Sequence, residues 1–141
     1  MSYLEHYSLK EEPFSISVDN RFYYNSKHHA EALIRLKYAA EQRKGLALLV
    51  GDIGAGKTTL ARRLLDELDE NSYESALLIV IHGAITSEWL LRKISVQLGV
   101  EKPAETKTDL LGQLYNRLAE IHDKKKKAVV LIDEAQMLQT Q

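Results

Sequence analysis

The sequence predicts an α/β fold, a parallel sheet with helices flanking it. Residues 46–50, 76–82 and 128–132 are largely apolar runs too short for helices, the signature of strands buried on both faces. The segments between them repeat their apolar residues at helical spacing, so strand and helix alternate along the chain. A glycine-rich turn from Gly51 to Gly56 joins the first apolar run directly to the helix after it.

Each element has its own justification. Residues 1–25 carry Tyr3, Tyr7, Phe14, Phe22, Tyr23 and Tyr24 with neither strand nor helix period, so they are expected as an irregular arm packed on an α/β core of residues 26–141. Ser26 is the expected cap of a first helix, with Leu33, Leu36 and Ala40 on its buried face and Gly45 as its left-handed stop. After the glycine turn, Leu60, Ala61, Leu64, Leu65 and Leu68 form an apolar stripe opposite Arg62, Arg63, Asp66 and Glu67. Ser87 is expected to cap the next helix, whose stripe is Leu91, Ile94 and Leu98 and whose stop is Gly99. Thr106 or Thr108 opens the last helix, with Leu111, Leu114, Leu118 and Ile121 as its buried face. The lysines at 124–127 suit its carbonyl end.

Composition bounds the possibilities. A chain of 141 residues, 45% hydrophobic and 28% charged, is expected as one globular domain with a core of its own. With no cysteine there is no disulfide, thiolate zinc site or thiol nucleophile. A net charge of -1 supplies no global attraction to nucleic acid or to an anionic membrane. The start lacks a basic segment followed by an apolar one, and the longest apolar run, residues 76–81, is far below the roughly 18 residues of a membrane span. A cytoplasmic location is expected. The five histidines form no ligand cluster: His28 and His29 point apart on a helix, and His6, His82 and His122 stand alone. Surface or structural roles are expected for them, and a solvated helix end for the lysine run.

The chemistry concentrates in two places. Gly51-Asp52-Ile53-Gly54-Ala55-Gly56-Lys57-Thr58 matches G-x-x-x-x-G-K-[ST], the Walker A phosphate loop, in the strand-to-helix context it requires. Its glycines let backbone N–H groups converge on an anion, and the following helix, beginning with Lys57, Thr58 and Thr59, adds its positive end. Lys57 is expected near the β and γ phosphates and Thr58 on Mg²⁺. A dinucleotide fingerprint fails, because Thr59 stands where the third glycine would be and Lys57 has no role in it. At the second place, residues 129–132 end in Asp133 and Glu134, the Walker B pattern, where ligands bind in open α/β sheets. Asp133 is expected to hold Mg²⁺, directly or through water, and Glu134 to orient or deprotonate the attacking water.

With these motifs, Glu12-Pro13-Phe14, Asp19, Arg21-Phe22-Tyr23-Tyr24, Glu31-Ala32-Leu33 and the Asp133-Glu134-Ala135-Gln136 ending resemble the ExeA-type AAA+ ATPases of general secretion, pilus biogenesis and transposition. The resemblance covers nearly all 141 residues. It implies a P-loop NTPase of AAA+ type that uses ATP with Mg²⁺, acts on a protein partner, and is a homo-oligomer in its complete form. Tyr23 or Tyr24 is the implied adenine contact. It also implies that the chain is the first part of the ATPase module, ending after the Walker B strand. The sensor residue, arginine finger, helical lid, membrane span and peptidoglycan-binding region would lie beyond Gln141. In that topology a strand after Glu134 enters between residues 46–50 and 128–132; without it the two are expected to close up or to leave edges open to another chain.

Two functions compete. One is an ATPase in which Lys57, Thr58, Asp133 and Glu134 convert hydrolysis into work on a partner. The other is a nucleotide-dependent binding module or DNA-binding regulator with little or no hydrolysis; DNA as a partner gains nothing from the net charge.

Overall fold

The computed structural model describes residues 2–14, 19–83 and 85–138. In chain order the elements are helix α1 (Tyr3–His6), a short 3-10 turn (Asn20–Phe22), α2 (Lys27–Glu41), α3 (Lys57–Glu67), strand β1 (Tyr73–Ile79), α4 (Ser87–Gln97), α5 (Lys107–Asp123), β2 (Lys127–Asp133) and a second 3-10 turn (Ala135–Met137).

Helix starts follow short polar side chains. Ser26 Oγ accepts from His29 N at 3.2 Å, and Thr106 Oγ1 accepts from Asp109 N at 3.2 Å. The cap of α4 is Thr86, not Ser87: its Oγ1 accepts from Trp89 N at 3.1 Å. Within the arm, Ser2 and Glu5 form a reciprocal capping box on α1, so that part is helical rather than irregular.

The helix ends share one device. Behind α4, Gly99 takes φ 100°, its N–H reaching Val96 O at 3.0 Å and that of Val100 reaching Ser95 O at 2.9 Å. Behind α2 and α5 the same pair of bonds forms around Arg43, at φ 50°, and Lys125, at φ 59°. Gly45 is therefore not the left-handed stop of α2. The geometry demands that conformation one residue after the cap Gln42, and Gly45 comes too late.

β1 and β2 pair in parallel from Tyr73↔Lys127 to Ile79↔Asp133. Both strands differ slightly in bounds from the apolar runs, because ladder partners rather than apolarity decide where pairing stops. On one sheet face Ala76 and Leu78 pack with Leu98 of the α4 cap and Ile121 of α5. On the other, Val129 and Leu131 reach a cluster of Leu33 from α2 with Leu60, Leu64 and Leu68 from α3 and its cap. The result is three layers, helix, sheet and helix. α5 turns inward only part of the expected face: Ile121 is buried with Leu114 beside it, Leu110 is buried as well, and Leu111 and Leu118 are 45% and 39% exposed.

Residues 46–50 are not a buried strand. Leu46, Leu48 and Val50 are 86%, 76% and 79% exposed, and only Leu49 reaches the α2–α3 cluster. Among the described residues, 46–50 form no backbone–backbone hydrogen bond. A strand exists through its ladder, and β2 does not close up on this segment. Instead the segment borders a groove of about 410 Å³ against His28, Glu31, Arg35 and Leu36 of α2. The outer margin of β1 is treated differently. Gln97 at the end of α4 accepts from Leu77 N at 2.7 Å and donates to Leu77 O at 2.7 Å, a side-chain amide in the place of a strand.

Candidate functional site

Two left-handed glycines shape the loop before α3. Gly54 has φ 77° and Gly56 φ 86°, conformations costing any other residue about 1 kcal/mol or more. The turn between them is closed by Ala55 N donating to Asp52 O at 3.2 Å. Gly56 is also the N-cap of α3 and brings no side chain to the first turn of that helix, so the N–H groups there lack a side-chain acceptor. The N–H groups of Ile53, Gly54 and Gly56 have no protein acceptor among the described residues either. Ile53 at the tip is fully exposed.

Lys57 folds back over this loop, its Nζ donating to Gly51 O at 2.8 Å and Asp52 O at 2.7 Å. An ammonium has three donors, so one is left for an anion at the loop. Thr58 and Thr59 follow in the first turn, half-buried. A ring of unpaired N–H groups, a helix N-terminus and a held cation suit a polyphosphate, and they offer nothing to a cationic or apolar ligand.

The two carboxylates stand where expected, at the C-terminal end of β2. Asp133 Oδ1 accepts from Glu134 N at 2.9 Å, Glu134 has φ 56°, and its Oε2 accepts from Gln136 Nε2. Among the described residues neither Lys57 nor Thr58 bonds to Asp133 or Glu134. The halves are ordered by packing of β2 on the α2–α3 cluster rather than by direct contact. α3 is further tied to α2 by Glu67, which accepts from Lys37 Nζ at 3.0 Å and Arg63 Nε at 2.8 Å. The hydrogen bond from Lys37, then its charge and Arg63, hold the Glu67 carboxyl below the usual carboxylate range against a smaller opposing desolvation.

One residue of the loop's surroundings escaped the sequence reading. His29 Nε2 lies 2.8 Å from Ala55 O, its ring stacks on Tyr23 at 6.0 Å, and its Nδ1 is buried without a partner. Spacing held the signal: His29 shares the stripe of Leu33, Leu36 and Ala40 on α2. Tyr23, one of two suggested base contacts, is engaged by His29 and by the Arg63 guanidinium at 5.7 Å, whereas Tyr24 is 81% exposed.

Comparison with known proteins agrees with this architecture. A family model described as an AAA domain matches residues 40–141. The chain belongs to the AAA domain family. It is a P-loop NTPase fold, with the parallel strands and flanking helices that such a domain uses. The chain is 36% identical over 138 residues, 96% of its length, to General secretion pathway protein A of Aeromonas hydrophila. It spans 24% of that relative's length. No solved structure matches it. Among the described residues, no helix is long and apolar enough to cross a membrane, and no group of three or more His, Asp or Glu is arranged to hold a metal.

Proposed function

We propose that the chain, residues 1–141 acting as one partial ATPase domain, binds ATP with Mg²⁺ at Gly51, Asp52, Ile53, Gly54, Ala55, Gly56, Lys57, Thr58 and Thr59. Its hydrolysis is coupled to work on a protein partner. The observation that carries this reading is the loop itself, where left-handed Gly54 and Gly56 lead into α3 and Lys57 is held across the opening. Backbone N–H groups bind the phosphates, and Lys57 orients and neutralises them. Thr58 and Asp133 are the residues that would hold Mg²⁺, which when bound would supply positive charge to neutralise the phosphates. Glu134 orients the attacking water and receives its proton. The family supports the nucleotide, and the printed name of the relative supports secretion as the pathway; the working form proposed is a cytoplasmic, oligomeric ATPase.

A nucleotide-dependent binding module is the second reading, favoured by one observation. Glu134 is tied to Gln136, and neither carboxylate bonds to the loop. Calorimetric titration tests both. Lys57→Ala should weaken MgATP binding about 10- to 100-fold, as loss of a charge-assisted contact does. Glu134→Gln should keep binding while lowering turnover about 10²- to 10⁴-fold. Equal MgATP affinity in wild type and Lys57→Ala would end the nucleotide reading, and unchanged turnover in Glu134→Gln would leave that residue structural.

A further inference from the structure

The surroundings of His29 define its task. Ala55 O, 2.8 Å from Nε2, can only accept, so Nε2 carries the proton and donates. Nδ1 is buried without a partner, which suits an unprotonated nitrogen, since an orphaned acceptor is better tolerated than an orphaned N–H. The ring is fixed from several sides. Its backbone N–H is spent on Ser26 Oγ at 3.2 Å, and its face stacks on Tyr23 with an interplanar angle of 21°. Tyr23 is in turn held by its hydroxyl donating to Asn25 Oδ1 at 3.2 Å and by Arg63.

Holding the Ala55 carbonyl holds more than one oxygen. The Ala55–Gly56 peptide is trans, so the Gly56 N–H points away from the side on which the carbonyl lies. With the carbonyl turned to His29, that N–H faces the opposite side of the loop, and it has no protein acceptor among the described residues. An anion nest works only while its N–H groups converge; a flipped peptide would present an oxygen to the anion.

We propose that His29 is a positioning residue for the nucleotide phosphates. By donating Nε2–H to Ala55 O, it keeps the Ala55–Gly56 peptide in the orientation that turns the Gly56 N–H into the nest. The inference rests on the reading of residues 51–58 as the nucleotide loop. His29 itself touches no phosphate.

Three variants test it. His29→Gln retains a donor at similar reach, His29→Phe retains the ring and its stacking without a donor, and His29→Asn is too short to reach Ala55. MgADP titration is paired with the amide ¹H–¹⁵N resonance of Gly56 in nucleotide-free protein and with thermal melting. His29→Phe should bind MgADP about 3- to 10-fold more weakly, the share of one hydrogen bond, and His29→Gln should recover to within about 2-fold. The Gly56 resonance should move in His29→Phe and stay in place in His29→Gln. Should His29→Phe melt early, His29→Asn serves as the donor-free arm. Wild-type affinity in the donor-free variant, or equal loss in His29→Gln, overturns the proposal. If wild type and Lys57→Ala bind MgADP equally weakly, the nucleotide reading has failed instead. The Gly56 resonance then still decides: one unmoved in the donor-free variant refutes the role of His29 in setting that peptide.

Discussion

Gly56→Ala brings two separate constraints into one measurement. The first is conformational, since φ 86° costs a residue bearing Cβ about 1–2 kcal/mol. The second is steric. A Cβ at Gly56 would lie 3.2 Å from Cε1 and 3.4 Å from Nε2 of His29, inside the roughly 3.5–4.0 Å of a comfortable carbon contact. The ring cannot retreat freely, because Nε2 is held by Ala55 O at 2.8 Å and the face by Tyr23. Overpacking of this kind adds about 1–3 kcal/mol, for a total of about 2–5 kcal/mol. Gly54→Ala is the internal control: φ is 77°, but nothing lies within 4 Å of the added carbon, so only the first cost of about 1–2 kcal/mol applies. Urea unfolding of both variants, in wild-type and His29→Ala backgrounds, separates the contributions. In the His29→Ala background Gly56→Ala should cost no more than Gly54→Ala. Equal destabilisation by the two variants with His29 present would refute the steric argument and leave conformation alone to explain the glycine.

Other expectations follow from the same structure. Arg43→Gly and Lys125→Gly each relieve a left-handed side-chain-bearing residue behind a helix and should stabilise by about 0.5–1 kcal/mol in urea unfolding, less the extra freedom of the unfolded chain. Gln97→Ala removes both bonds to Leu77 and should cost about 1–3 kcal/mol. Glu67 and Glu74 are held below the usual carboxylate range, foremost by hydrogen bonds from Lys37 and Lys126 respectively. Depressed folded values mean that this stabilisation is complete above the unfolded carboxylate value of about 4.3 and is lost as pH falls through the lower folded values. The urea midpoint should therefore decline below about pH 4.5, and a Glu67→Gln, Glu74→Gln double variant should flatten that decline.

What the sequence disclosed was mostly local. Ser26 as a cap and Gly99 as a stop depend on neighbours a few residues away, and the loop from Gly51 to Thr58 carries its own conformational demand in its glycines. Where distant partners decide, sequence was ambiguous. α5 carries two apolar sets at helical spacing, Leu110, Leu114, Ile121 and Leu111, Tyr115, Leu118, and only the position of α4 and β1 selects the first. Residues 46–50 are as apolar as a central strand, yet apolarity supplies no ladder partner, and the segment remains unpaired. The tether of His29 to Ala55 spans 26 positions, beyond any local pattern. The left-handed turn of Glu134 likewise has no signature in its residue type.

The amide of Gln97 gives the sheet a direction. With the N–H and C=O of Leu77 both occupied from the side, a further strand approaching β1 would have to displace two bonds of 2.7 Å before forming its own. β2 carries no such plug among the described residues, and Val130 and Ile132 are 38% and 36% exposed. Growth of the sheet, by more chain or by another molecule, is therefore one-sided. It adds next to the strand that ends in Asp133 and Glu134, so any added strand arrives beside the two carboxylates on which hydrolysis is proposed to depend.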